Sequence, residues 1–332
     1  MKQWTWRHTV LVLGAFVILV AAFHASGAPP SKILEGLTGA ITTPAGWKNI
    51  LSRMTPLLLG GLAVFLALRG GLFNIGAEGQ ILMGGVGAVL TALAVPNPLG
   101  LVLALVAGIL FGSFWALPAG LIKAYRGGHE VISTIMLNAI SVMLCTYLAK
   151  GVLKDPGQQS ATTANISDSA TMPLVIKSGP FELGFGWLIG LALVIGAAYW
   201  LKRSVAGYEL EAAGQSPRAA EMAGIPTKKV QVLSMVASGA LAGLAGAILV
   251  TGTDHRFYAS LAGGYGFDSL GVALLSGSSV WAVIPSAFFF ALVDASTSRL
   301  SFFGVPKGIS ALLLGLVILV FAAVKFRKEV VK

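Results

Sequence analysis

The four histidines, His8, His24, His129 and His255, are scattered, and no H-E-x-x-H or G-x-S-x-G run offers a metal site or an activated nucleophile. The dipeptide Gly-Lys is absent, so there is no G-x-x-x-x-G-K-[S/T] phosphate loop. Cys145 is the one cysteine, which excludes an intrachain disulfide and a cysteine-based metal cluster. What remains is a small set of polar side chains next to or inside apolar stretches. Asn74 and Glu78 stand one helical turn apart, with Gln80 just beyond; Ser133 and Thr134 precede Asn138, and Thr134 and Asn138 repeat the four-residue spacing; Phe267 and Asp268 open a later apolar run. Such groups either hydrogen-bond a neighbouring helix or line a polar path. Glu78 fits the first turn of a helix, where the dipole favours a carboxylate, or a gate or anchor beside such a path. Asp268 reads as the N-cap of the helix that follows.

The elements that must carry these groups follow from composition. Of 332 residues, 56% are hydrophobic and 11% charged, against about 25% charged in an ordinary soluble domain. The chain reads as an all-α polytopic membrane protein, a single transmembrane domain over residues 1–332. A hydrocarbon core of about 30 Å takes about 20 apolar residues per helix, which gives about ten transmembrane helices. The segment 9–23 is compatible with a signal peptide but serves equally as the first span. Further spans fall at 50–68, 131–149, 183–201, 230–253 and 308–324. The uncharged stretch 79–122 is too long for one span and breaks at Pro96-Asn97-Pro98 into two.

The region 257–299 is one long helix or two short ones either side of Gly277-Ser278-Ser279, and charge decides between them. Two helices place the basic tail, both termini and the loops carrying Arg69, Lys123, Arg126 and the 202–229 segment on the cytoplasmic side, with 14 of the 23 Lys and Arg residues. The net charge of +10 is then a matter of membrane orientation. The polar segment 150–182 becomes an extracytoplasmic loop. Ten helices divide into five and five, which is compatible with an inverted repeat. Two glycine-rich entries, Gly70-Gly71-Leu72-Phe73-Asn74-Ile75-Gly76 and Gly263-Gly264-Tyr265-Gly266-Phe267-Asp268, support it thinly. Glycine numbers 42, and Gly108/Gly112 and Gly239/Gly243 are spaced for close helix packing.

The cytoplasmic segment 204–229 holds a complete short-helix signature. Ser216 is a candidate N-cap, Pro217 suits the first helical position, residues 218–223 are good helix formers, Gly224 suits a left-handed stop and Pro226 prevents continuation. A second piece over 208–213 ends at Gly214. A helix this short needs a surface to pack on. Ala219, Ala220, Met222, Ala223 and Ile225 offer an apolar one, and Arg218 and Glu221 are spaced to pair with each other or with a partner. From the residues alone, an interfacial helix on lipid and a docking helix for a cytoplasmic protein stand level.

This segment resembles the cytoplasmic coupling loop of ABC importer permeases, in the branched-chain amino acid, ribose and nucleoside permease family. Gly207, Ala212, Gly214, Ala219, Ala220, Gly224 and Ile225 match the family pattern. The run Gly70 to Gln80 is similar to the signature of the nucleoside-type members, and so is the run Gly266 to Leu275. The resemblance covers essentially the whole chain. It implies a type II-like importer permease that takes up nucleosides, in a bacterial plasma membrane. ATP and Mg sit on a separate cytoplasmic ATPase, and this chain binds no cofactor. A second, related permease subunit in a heterodimer and an extracytoplasmic substrate-binding protein complete the assembly, and no nucleic acid is involved.

ATPase coupling falls on Glu211, Gly214, Ser216, Pro217, Arg218, Ala219, Ala220, Glu221, Gly224 and Ile225. Pathway or gate roles fall on Asn74, Glu78, Gln80, Ser133, Thr134, Asn138, Phe267 and Asp268. Glu211 departs from the pattern, standing where relatives often carry a basic residue, so a salt bridge there is reversed or absent. The competing readings are a simple-sugar permease, an ion-coupled secondary transporter working through Glu78, Asp268 or Asp294, and an integral membrane enzyme. The last lacks a catalytic constellation.

Overall fold

The computed structural model describes residues 30–178 and 181–301, with a few single positions outside those ranges. The spans expected at 9–23 and 308–324 lie outside the described residues. Eleven α-helices of four residues or more fall within 30–301: α1 (Pro30–Thr42), α2 (Pro44–Arg69), α3 (Ala77–Ala94), α4 (Pro98–Arg126), α5 (Glu130–Lys150), α6 (Gly186–Arg203), α7 (Val205–Gln215), α8 (Pro217–Met222), α9 (Thr227–Ile248), α10 (Tyr265–Ser276) and α11 (Val283–Ser301). A two-stranded hairpin, β1 (Leu174–Ser178) and β2 (Phe181–Gly184), sits in the polar segment before α6.

Among the described residues six helices are long and apolar enough to cross a membrane, and α6 with α7, bent by 80°, makes a seventh if counted as one span. At 12 residues α10 spans about 18 Å, short of a bilayer core on its own.

Local chemistry sets the boundaries. Asn97 caps α4 by accepting the Leu99 and Gly100 amides, Pro98 takes the first helical position, and Gly127, at φ 64°, ends the helix after Lys123 and Arg126. The break read at Pro96-Asn97-Pro98 is therefore real. The region after 257 is also two helices, with Gly277 at φ 63° between them. Helix α2 begins six residues before the expected 50, at Pro44. Helix α1 and the hairpin were not expected.

The chain divides into two compact units, one of Met1–Arg53, Ser178–Phe181 and Phe288–Lys332, the other of Met54–Lys177 and Glu182–Ala287. In the first, Arg53 pairs with Asp294, Arg299 donates to the Thr43 hydroxyl at 3.1 Å, and the Trp47 and Phe288 rings stack at 6.0 Å.

In the second unit α3, α4 and α9 meet along a glycine seam. A Cβ on Gly243 would run into the backbone of Gly108 and Gly112, and one on Gly84 into Gly243. The two small-residue pairs flagged in the sequence thus pack on each other, letting backbones approach where side chains would hold them apart. Helices α2 and α3 are mostly buried, whereas α4 and α5 turn Leu110, Phe114, Ile132 and Met143 outward, the kind of surface that lipid solvates.

Candidate functional site

The connection between α2 and α3 turns at Gly71, φ 74°, then runs without regular structure to Gly76. Asn74, fully buried, fastens it. Its amide nitrogen donates to Gln80 Oε1 at 2.9 Å and to Ser238 Oγ at 2.8 Å, while its oxygen accepts the Gly76 amide at 2.9 Å and Gln80 Nε2 at 3.1 Å. Ser238 on α9 donates in turn to the Ala63 carbonyl of α2 at 2.7 Å. Both donors and both acceptor sites of the Asn74 amide are used, so the group ties α2, α3 and α9 together.

Asn138 on α5 does the same from another side. It accepts the Gly79 amide at 2.8 Å and donates to the Ile75 carbonyl at 2.7 Å. Thr134, one turn earlier and also fully buried, donates to its own helix at the Glu130 carbonyl.

Glu78 joins the two glycine-rich entries. Its carboxylate accepts the Gly264 amide at 2.9 Å and the Gly266 amide at 2.7 Å, capping the start of α10 from another helix. A helix start leaves amides without partners and carries partial positive charge, so a carboxylate there satisfies both needs. Gly266 lies against the Glu78 backbone so closely that a Cβ would overlap it. Asp268 is not the N-cap: Gly264, at φ 97°, holds that position, and Asp268 lies in the first turn.

The segment after α6 bends sharply at Ser204, whose hydroxyl accepts the Gly207 amide and caps α7. Helix α7 runs through Gly214 to Gln215, so Gly214 does not stop a helix; it lets α7 press against the backbone of Arg69 and Gly71. Helix α8 follows the sequence signature closely. Ser216 occupies the N-cap without a side-chain bond, Pro217 comes first, and Gly224 adopts φ 84°. The Ile225 amide bonds the Ala220 carbonyl and the Gly224 amide the Glu221 carbonyl, the paired bonds of a Schellman stop.

In α8 Ala220 is buried while Arg218, Ala219 and Met222 are exposed, Met222 at 92%, and Ile225 just beyond the helix is half-buried. Glu221 accepts the Thr227 hydroxyl at 2.5 Å. Glu211 pairs with Arg69 at 3.3 Å, so the salt bridge at this point is an acid on α7 meeting a base on α2.

The structure therefore brings together Asn74, Glu78, Gln80, Thr134 and Asn138. Ser133 is half-buried and donates to the His129 carbonyl one turn earlier, and Phe267 is half exposed. The sequence reading missed Ser238, although the rule that singled out Asn138, a polar group on an apolar helix, applies to it equally. Among the described residues no group of three or more His, Cys, Asp or Glu side chains is placed to hold a metal.

A family model described as the permease component of branched-chain amino acid transport systems matches residues 46–322. A guanosine ABC transporter permease, NupP of Bacillus subtilis, is 34% identical over 323 residues, 94% of this chain and 90% of the relative. A nucleoside ABC transporter permease, NupB of Lactococcus lactis subsp. cremoris, is 32% identical over 96% of this chain and 89% of its own. A glucose ABC transporter permease, TsgB13 of Haloferax volcanii, is 33% identical over 87% and 79%.

Proposed function

The chain belongs to the permease-component family of branched-chain amino acid transport systems, and from that premise we propose that its cargo is a nucleoside. It is a multi-pass membrane subunit of an ABC importer, a transport component rather than an enzyme, and it works with ATPase and substrate-binding partners. The observation that carries the nucleoside reading is near-full-length similarity to the guanosine and nucleoside permeases. The glucose permease, at similar identity over a smaller share, supports a simple sugar as the second reading. Competition separates the two. Uptake of labelled guanosine by cells carrying the complete importer falls when unlabelled inosine or adenosine is added and persists with excess ribose or glucose. Loss of uptake to the sugars alone favours the second reading.

In the proposed arrangement both termini and the 204–229 segment are cytoplasmic, and 150–182 faces the substrate-binding protein. The second permease subunit is a related but different chain, as the family resemblance implies. ATP and Mg bind the ATPase. Helix α8 is its docking element, presenting Met222 and Arg218, while Glu211 and Gly214 seat α7 on the end of α2. Nucleotide-driven closure of the ATPases displaces α8, and the helices attached to it switch the pathway from outward-facing to inward-facing. Asn74, Gln80 and Asn138 spend their hydrogen bonds within the protein, so their part is to hold the entry of α3 in place beside the pathway, as Glu78 holds that of α10. Of the three carboxylates that an ion-coupled mechanism could use, Glu78, Asp268 and Asp294, the first is engaged by backbone amides and the last by Arg53, which weighs against either as the ion carrier.

A further inference from the structure

Helix α10 is held at both ends by charges of the sign its dipole favours. Glu78 bonds the amides at its start, and Arg69 reaches the turn just past its end, donating to the Ser278 carbonyl. The same guanidinium pairs with Glu211 of α7 at 3.3 Å and lies over the Phe65 ring, 5.3 Å from its centre. Beneath it, Gly214 packs on the Arg69 carbonyl. One side chain thus connects the segment assigned to ATPase docking with the break between α10 and α11.

We propose that Arg69 is a positioning residue of the transport cycle, a rigid link through which displacement of α7 and α8 is delivered to the C-terminal end of α10. One terminal nitrogen, Nη2, faces both the Glu211 carboxylate and the Ser278 carbonyl, and the rigid guanidinium plane behind it holds that nitrogen between them. The ring beneath restricts its orientation, so the link resists swinging aside. Because α10 is short and capped by Glu78 at its far end, a push on Ser278 moves it as one piece against the entry of α3. This rests on the assignment of 204–229 as the ATPase-contacting segment.

The test uses the complete importer in vesicles with two readouts. The first is cargo moved per ATP hydrolysed, compared among unaltered protein, Arg69→Lys and Arg69→Gln. The ratio falls about fivefold in Arg69→Gln, with Arg69→Lys between. The second readout is the distance between spin labels at Glu209→Cys and Ser279→Cys, with and without nucleotide, after Cys145→Ala. The two sites move together when Arg69 is present, keeping one distance, and separate into two nucleotide-dependent distances in Arg69→Gln. Should Arg69→Gln fail to assemble, Glu211→Gln, which removes only the ion pair, carries the same expectation. An unchanged transport ratio together with an unchanged label distance in the assembled variant overturns the proposal. The label distance is read whatever the cargo proves to be, so an error in the substrate does not mask the result.

Discussion

Glu78 accepts the amides of both Gly264 and Gly266, so removing its carboxylate leaves two donors at the start of α10 without partners. Glu78→Ala therefore lowers the stability of the purified complex by about 2 kcal/mol or more, while Glu78→Gln, which keeps one acceptor oxygen, loses less. Thermal unfolding in detergent checks the order of the three proteins. Gly224 gives a second prediction at this scale. Proline cannot adopt φ 84° and has no amide for the Glu221 carbonyl, so Gly224→Pro undoes the stop of α8. If α8 docks the ATPase, the variant still inserts in the membrane but binds ATPase about tenfold or more weakly, measured by copurification and titration. The signals around α8 were legible because they are local: Ser216, Pro217 and Gly224 each act within a turn of their own position. The Glu78 contact was not, because its partners lie 186 and 188 positions away and are backbone groups with no side-chain signature.

The helices show the same division between local and distant information. The start of α4 was readable from Asn97 and Pro98, and the split between α10 and α11 from the count of basic residues that must stay on one side. Strand β1 and the start of β2 fall in the stretch read as polar loop, 150–182, and the end of β2 in the span expected at 183–201, because strands of five and four residues leave little pattern. Pairing Gly108/Gly112 with Gly239/Gly243 could be anticipated as packing, but not which helix met which. That seam leaves little room. Gly243→Val pushes methyl groups into the backbones of Gly108 and Gly112 and costs about 1–3 kcal/mol or more, seen as a lower melting temperature and less folded protein on size exclusion. An unchanged melting temperature contradicts the close approach. By contrast Leu110→Val, on the outward face of α4, changes little.

For the whole molecule, composition alone established a membrane protein. The pathway is less legible, since Asn74, Glu78, Gln80, Thr134 and Asn138, which stood out as polar, prove to bond one another or backbone groups of the protein. That pattern accords with a permease component that works with separate ATPase and substrate-binding partners. Two of the three carboxylates considered for ion coupling point the same way, Asp294 being paired with Arg53 and Glu78 with the α10 amides. The most direct test is uptake of labelled guanosine into vesicles holding the complete importer, with the binding protein and nucleotide on their respective sides. ATP-driven accumulation that survives collapse of the ion gradients is the predicted result. Accumulation that ignores ATP and stops when an ion gradient is dissipated would contradict the account.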